Sequence, residues 1–162
     1  MTGYFYNPNI HPADEYEKRL ESAREVARQL DFELVEGPYD RENWFGMVKG
    51  KEYEGEGGAR CLECFRMRLE KTHTHMKKYM FDAFTTTLSV SPHKDVSVIN
   101  ELGRQIGGEK FILADFKKKG GFARAGELAA EWGLYRQDYC GCIYSLEEKL
   151  KRDKGRRIKE KG

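Results

Sequence analysis

Four cysteines stand in two tight couples, Cys61-Leu62-Glu63-Cys64 and Cys140-Gly141-Cys142, and they are the only thiols in the chain. Two thiolates spaced this closely reach the same ion, and thiolate ligation selects zinc, copper(I) or iron–sulfur over hard cations. The residues therefore read as one metal or redox centre. The plain alternative is that each cysteine is a small buried apolar residue, but two pairs without a singleton favour chemistry. A disulfide between Cys140 and Cys142 would close a small, strained and easily reduced ring, which suits a switchable redox pair. Both sulfurs could equally ligate one iron. Arg136, Gln137 and Tyr139 bring a cation, an amide and an aromatic face to the same stretch, a set able to hold a phosphate or stack on a base. Core packing is the alternative for Tyr135 and Tyr139.

The elements that position these groups follow from periodicity. Tyr4–Tyr6 reads as a strand closed by Asn7-Pro8-Asn9 and Ile10-His11-Pro12. A helix is expected over 13–30 on Tyr16, Leu20, Ala23, Val26, Ala27 and Leu30. Phe32–Val35 reads as a second strand, Asp40 as the cap of a short helix, and Gly50–Gly58 as a surface loop. Ala59–Met80 is helical through Leu62, Phe65, Leu69 and Met76. Cys61 and Cys64 then share a face of its first turn, where free amide groups and the helix dipole favour thiolate. Ala83–Thr87 and Phe111–Ala114 are expected as third and fourth strands, Ser91-Pro92 as the start of a helix reaching Gly107, and Ala125–Trp132 as a helix ending at Gly133. Tyr135–Cys142 is a loop, and Ser145 is expected to cap a last, basic helix. Strands alternating with helices predict an α/β fold, a mostly parallel sheet with helices on both faces, in one domain spanning 1–162. Ligands of such sheets bind at strand carboxyl ends, where Asn7–Asn9, Thr85–Thr87 and Phe116–Gly121 should lie.

Composition narrows the function classes. Charged residues make up 35% and aromatics 12%, with a formal charge of +2, which suits a soluble globular domain. From 146 to 162 there are eight Lys or Arg against four Asp or Glu, so a net +4 sits in the basic C-terminal tail. A polyanion would be sought there first; a solvated helix is the simpler reading. No apolar run is long enough to span a bilayer and no signal-peptide pattern opens the chain, so no membrane partner and a cytoplasmic location are expected. The close cysteine pairs then favour metal binding or catalysis over structural disulfides. There is no His-Glu-x-x-His, no phosphate-binding P-loop and no dinucleotide fingerprint. His73 and His75 fall on different helix faces, and His11 and His93 read as turn or capping residues.

Four blocks in order, Tyr4-Phe5-Tyr6-Asn7-Pro8-Asn9-Ile10-His11-Pro12 with Glu15-Tyr16 and Arg19, Arg60-Cys61-x-x-Cys64, Thr85-Thr86-Thr87-Leu88 leading to Ser91-Pro92, and Gly133–Cys142, resemble the QueH epoxyqueuosine reductases. The resemblance implies reduction of the epoxide of epoxyqueuosine at the tRNA wobble position to queuosine, without cobalamin. It also implies a Rossmann-like (HUP/PP-loop-like) fold, a 4Fe-4S cluster, an additional mononuclear iron or redox-active thiol pair beside it, and an unidentified electron donor. Carried onto these residues, Cys61 and Cys64 are metal ligands, and Cys140 and Cys142 are catalytic, as a redox-active disulfide or as iron ligands. Asn7, Arg60, Arg136 and Tyr139 are substrate contacts. Members of the family begin with a further strand and helix bearing a Cys-Cys-Ala-Pro motif that completes the cluster. Met1-Thr2-Gly3 aligns with the start of their second strand. The expected fold therefore misses its first strand and half the cluster ligands, as translation from an internal start would produce. Two alternatives accompany this expectation: a non-catalytic tRNA-binding protein with a structural zinc site made by all four cysteines, and an inactive truncated fragment.

Overall fold

A computed structural model describes residues 1–159, with side chains placed to Arg156; the end of the expected basic tail, 160–162, lies outside the described residues. The chain forms two compact units, Met1–Arg41 joined by the segment from Tyr135 onward, and Glu42–Leu134. Among the described residues there are six α-helices, and the strands make a two-stranded parallel sheet. None of these helices is long and apolar enough to cross a membrane.

The first unit is built on a strand–helix–strand repeat. Strand β1 (Thr2–Phe5) and strand β2 (Glu33–Glu36) pair in parallel, Thr2 with Glu33 through Phe5 with Glu36. Between them runs α1 (Ala13–Gln29), with Glu15, Tyr16, Leu20 and Ala27 buried. Gly3 is required by close approach: a Cβ there would sit 2.8 Å from the Phe32 ring and 3.0 Å from Leu34. Ile10, Tyr16 and Leu20 form the buried cluster, with Phe5 and Tyr39 against it. Tyr16 and Tyr39 stack at 3.9 Å between ring centroids, and the Tyr39 hydroxyl donates to the Ile10 carbonyl. The basic helix, here α6 (Ile143–Lys159), follows the second cysteine couple.

The second unit contains α2 (Arg41–Val48, all but its first residue), α3 (Ala59–Lys78), α4 (Val96–Gly107) and α5 (Gly121–Glu131). Its core joins Phe65, Leu69 and Met76 of α3 to Ile99 and Leu102 of α4, with Phe84, Leu88 and Phe111. Two glycines on one face of α4 make room for the aromatic pair. A Cβ on Gly103 would lie 2.2 Å from the Phe111 ring, and one on Gly107 would lie 2.5 Å from Phe84; the two rings meet edge to face at 5.2 Å.

The expected sheet is smaller than four strands. Where Ala83–Thr87 and Phe111–Ala114 were to be strands, a single parallel bridge joins Phe84 and Phe111. Thr86 ends the extended run: its hydroxyl accepts the Leu88 N–H and starts a 3-10 turn over Thr87–Val90. Helix α4 begins at Val96 rather than at Ser91-Pro92, because the Asp95 carboxylate accepts both the Ser97 and Val98 N–H groups, the strongest cap in that stretch.

Candidate functional site

The two thiol couples fall in different compact units, each with its own surroundings. None of the four cysteines is in a disulfide, so the Cys140–Cys142 disulfide weighed from the sequence is not formed here.

Cys61 and Cys64 occupy the first turn of α3, as their spacing predicts, and both are buried. Cys61 also belongs to the apolar core around Phe65 and Leu69. Its sulfur accepts the Gly57 N–H at 3.3 Å, an amide contact of the kind that supports anionic sulfur. Gly57 reaches it because its φ of +90° bends the Gly50–Gly58 loop back over the helix start, a conformation glycine adopts without penalty. Arg60, between this loop and the cysteines, is 1% exposed and donates through Nη1 to the Glu52 carbonyl at 2.8 Å. Arg60 is thus an interior tie of the loop that delivers the chain to Cys61, and its guanidinium is not at the surface. Two buried sulfurs on one helical turn, one already accepting an amide hydrogen, fit half of a four-thiolate set. Among the described residues, no group of three or more His, Cys, Asp or Glu side chains gathers to hold a metal ion.

Around Cys140-Gly141-Cys142 the first unit places a denser arrangement. Cys142 sits at the N-cap of α6: its carbonyl accepts the Leu146 N–H at 3.1 Å and its sulfur accepts the Ser145 N–H at 3.4 Å. The cap expected of Ser145 therefore belongs to Cys142, and Ser145, buried at the third helical position, donates its hydroxyl to the Cys142 carbonyl at 2.9 Å. The three carbonyls before this cap are each held. Arg19 of α1 donates through Nη2 to the Tyr139 carbonyl at 3.1 Å and through Nη1 to the Cys140 carbonyl at 3.0 Å. The His11 N–H donates to the Gly141 carbonyl at 2.7 Å.

Arg19 is itself fixed by Glu15, one turn earlier, with Nε to Oε1 at 2.7 Å and side chains 10% and 7% exposed. Tyr135 donates to the other Glu15 oxygen at 2.7 Å, and Tyr139 donates to the His11 carbonyl at 2.5 Å with its ring 5.1 Å from the Arg19 guanidinium carbon. The hydrogen bond to Glu15 is the main reason the Tyr135 phenol is pushed up to about 12. Burial, followed by the Glu15 charge, pushes the Tyr139 phenol to about 12. His11 is buried and donates through its Nδ1–H to the Asn9 carbonyl at 2.8 Å; desolvation lowers its pKa despite that bond, and Arg41 lowers it further.

Of the residues expected from sequence, Tyr139, Cys140 and Cys142 come together in this arrangement. Asn7 lies in the turn after β1, its carbonyl accepting the Ile10 N–H at 3.2 Å, and Arg136 is exposed on the loop. Sequence reasoning gave no site role to Glu15, Arg19 or His11. The signal available was position: Glu15 and Arg19 lie one turn apart, each directly before a buried Tyr16 or Leu20.

The family description "Epoxyqueuosine reductase QueH" matches residues 1–148. The chain belongs to the epoxyqueuosine reductase QueH family. It is 42% identical over 156 residues to an epoxyqueuosine reductase QueH of Haemophilus influenzae, covering 93% of this chain and 63% of that protein. A namesake of Thermotoga maritima is 40% identical over 152 residues, covering 90% and 79%. Another, of Streptococcus pyogenes, is 37% identical over 156 residues, covering 91% and 61%. The matched stretch contains both thiol couples, the Glu15–Arg19 pair and the start of α6, so the family relation extends over every group described above.

Proposed function

We propose that this chain carries out epoxyqueuosine reduction on tRNA without cobalamin, as a cytoplasmic oxidoreductase, in a single α/β domain of the family's Rossmann-like type. The observation that carries the reading is that both thiol couples of a QueH family chain sit at helix N-termini with amide hydrogens on sulfur, at Cys61 and at Cys142. The reaction removes one oxygen: the epoxide takes up two electrons and two protons, both C–O bonds break, the oxygen leaves as water and an alkene remains. A dithiol balances this, giving two electrons and two protons as it closes to a disulfide. Cys140 and Cys142 are the couple so assigned, unless they ligate an additional mononuclear iron, and an external donor restores them.

Cys61 and Cys64 would be two of the thiolates of a 4Fe-4S cluster, a fit supported by their shared turn and by the Gly57 amide. When bound, such a cluster supplies low-potential electrons singly, and an iron beside it a Lewis acid for the epoxide oxygen. Arg136, exposed and cationic, is suited to the tRNA backbone, and Asn7 to polar groups of the modified base at the carboxyl end of β1. Tyr139 bears on substrate through its ring, its hydroxyl being committed to His11. Arg60 acts through the loop it ties. The positive charge of α6 predicts tRNA affinity that falls as salt rises.

The test is anaerobic reconstitution with iron and sulfide followed by turnover of epoxyqueuosine-tRNA. Visible iron–sulfur absorption lost on Cys61→Ser or Cys64→Ser, with turnover lost on Cys140→Ser or Cys142→Ser, is the expected result. One colourless zinc per chain and no turnover from reconstituted protein would refute it.

A further inference from the structure

Three consecutive carbonyls of the cysteine loop are restrained, and two of them by one side chain. The Arg19 guanidinium spans the Tyr139 and Cys140 carbonyls, is fixed behind by Glu15, and lies against Gly141. A Cβ on Gly141 would come 2.7 Å from Nη1 and 3.2 Å from the Ile10 side chain, and Gly141 stands at a φ of +118°. The loop held in this way is the dithiol form, in which the Cys142 sulfur caps α6. A disulfide across a single intervening residue needs its two Cβ atoms about 3.5–4.5 Å apart, and the peptide units on either side of Gly141 are the backbone that sets that separation. Those units carry the Cys140 carbonyl that Arg19 holds and the Gly141 carbonyl that His11 holds. The bond would also engage the Cys142 sulfur that accepts the Ser145 amide.

We propose that Arg19 is a positioning residue that favours the dithiol form of the Cys140–Cys142 couple and so sets its redox equilibrium, an inference that rests on the redox role proposed above. The guanidinium fork is suited to this, because two carbonyls in a fixed relation engage two parallel N–H donors, which a lysine ammonium cannot reproduce. Arg19 moves no electrons. The oxidation it opposes is loss of two protons and two electrons from the thiols, taken in the assay by oxidised glutathione and in turnover by the epoxide.

The experiment equilibrates the full chain with reduced and oxidised glutathione, quenches by alkylation, and quantifies the tryptic peptide 137–149, which contains Cys140 and Cys142 and no other cysteine. Arg19→Gln is expected to shift the thiol–disulfide constant toward the disulfide about tenfold, about 30 mV for this two-electron couple, with Arg19→Lys recovering part of the shift. Glu15→Gln loosens the guanidinium yet leaves both Nη bonds available, so its constant should shift clearly less than that of Arg19→Gln. Should Arg19→Gln fail to fold, Arg19→Lys decides alone. Constants for the Arg19 variants within twofold of the parent would overturn the assignment, as would Glu15→Gln moving the constant as far as Arg19→Gln. Absence of any 140–142 disulfide in the parent chain, at every glutathione ratio, would remove the redox role itself and this inference with it.

Discussion

The Glu15–Arg19 pair offers a sharp quantitative test of how the cysteine loop is held. Glu15→Gln keeps the side-chain shape and lets the amide oxygen accept from Arg19 or Tyr135, but removes the charge compensating a guanidinium whose side chain is only 10% exposed. Breaking a buried pair from one side costs about 3–5 kcal/mol; because the isostere keeps hydrogen bonds, the expected cost is at the lower end, about 3 kcal/mol. Arg19→Met leaves Glu15 charged and two carbonyls without their donor, and about 4 kcal/mol is expected. The double variant removes both charges together, so its cost should fall short of the sum by about 2 kcal/mol or more. Both tryptophans, Trp44 and Trp132, lie in the other compact unit. The measurement is therefore amide hydrogen exchange of peptides covering 11–20 and 135–148, read as opening free energies. Additive single-variant costs within about 0.5 kcal/mol would show that the pair does not act as a unit, and the account of the clamp would fail.

Gly103→Ala gains about 1 kcal/mol of helix propensity but drives a methyl into the Phe111 ring, at 2.2 Å, and overpacking of that kind costs about 1–3 kcal/mol. A net loss of about 1 kcal/mol by urea denaturation is expected, turning to a gain in a Phe111→Leu background; a gain in both backgrounds would contradict the notch. Burial lowers the His11 pKa below its ordinary value of 6.5, so the unfolded chain binds its proton first as pH falls. Stability carried by this ring is complete above about pH 6.5 and is lost as pH falls through the lowered pKa, and His11→Gln should flatten that stretch of a stability–pH profile. Cys142→Ser replaces the sulfur cap of α6 by a hydroxyl, a better one, whereas Cys142→Ala removes it at about 1 kcal/mol. Exchange of the Ser145 amide, which the sulfur holds, should quicken only in the alanine variant, while turnover disappears in both.

How much of this could be read from residue order depends on whether the deciding interaction is local. Helices α1, α3 and α5 announce themselves by apolar spacing, and the Cys61/Cys64 couple inherits its place on the first turn of α3 from that spacing alone. The segments at Phe84 and Phe111 have the composition of strands, yet they meet in a single bridge through the Phe84 N–H to Lys110 and the Ile112 N–H to Phe84, because Thr86 turns the chain by capping the next residues. A hydroxyl choosing its own backbone over a ladder is a short-range competition that β-propensity does not rank. The same limit hides the Cys142 cap, where a sulfur accepts the N–H of Ser145, the residue that was itself expected to be the cap.

Glu15 and Arg19 are the harder case, and they show where local reasoning stops. Helix α1 carries several charged pairs one turn apart that look the same in sequence: Asp14 with Lys18, Glu21 with Arg24, and Glu25 with Arg28. Those pairs are solvated, with Asp14 at 70% and Arg28 at 69% side-chain exposure, and contribute little. Glu15–Arg19 differs only because the Tyr139–Cys140 backbone, arriving from the far end of the chain, covers it and presents two carbonyls to the guanidinium. A charged pair becomes structural when a distant segment desolvates it and supplies the acceptors its remaining donors need. In this protein the segment that does so bears the thiols, so the ion pair that organises α1 and the loop that bears the chemistry can be expected to stand or fall together under mutation.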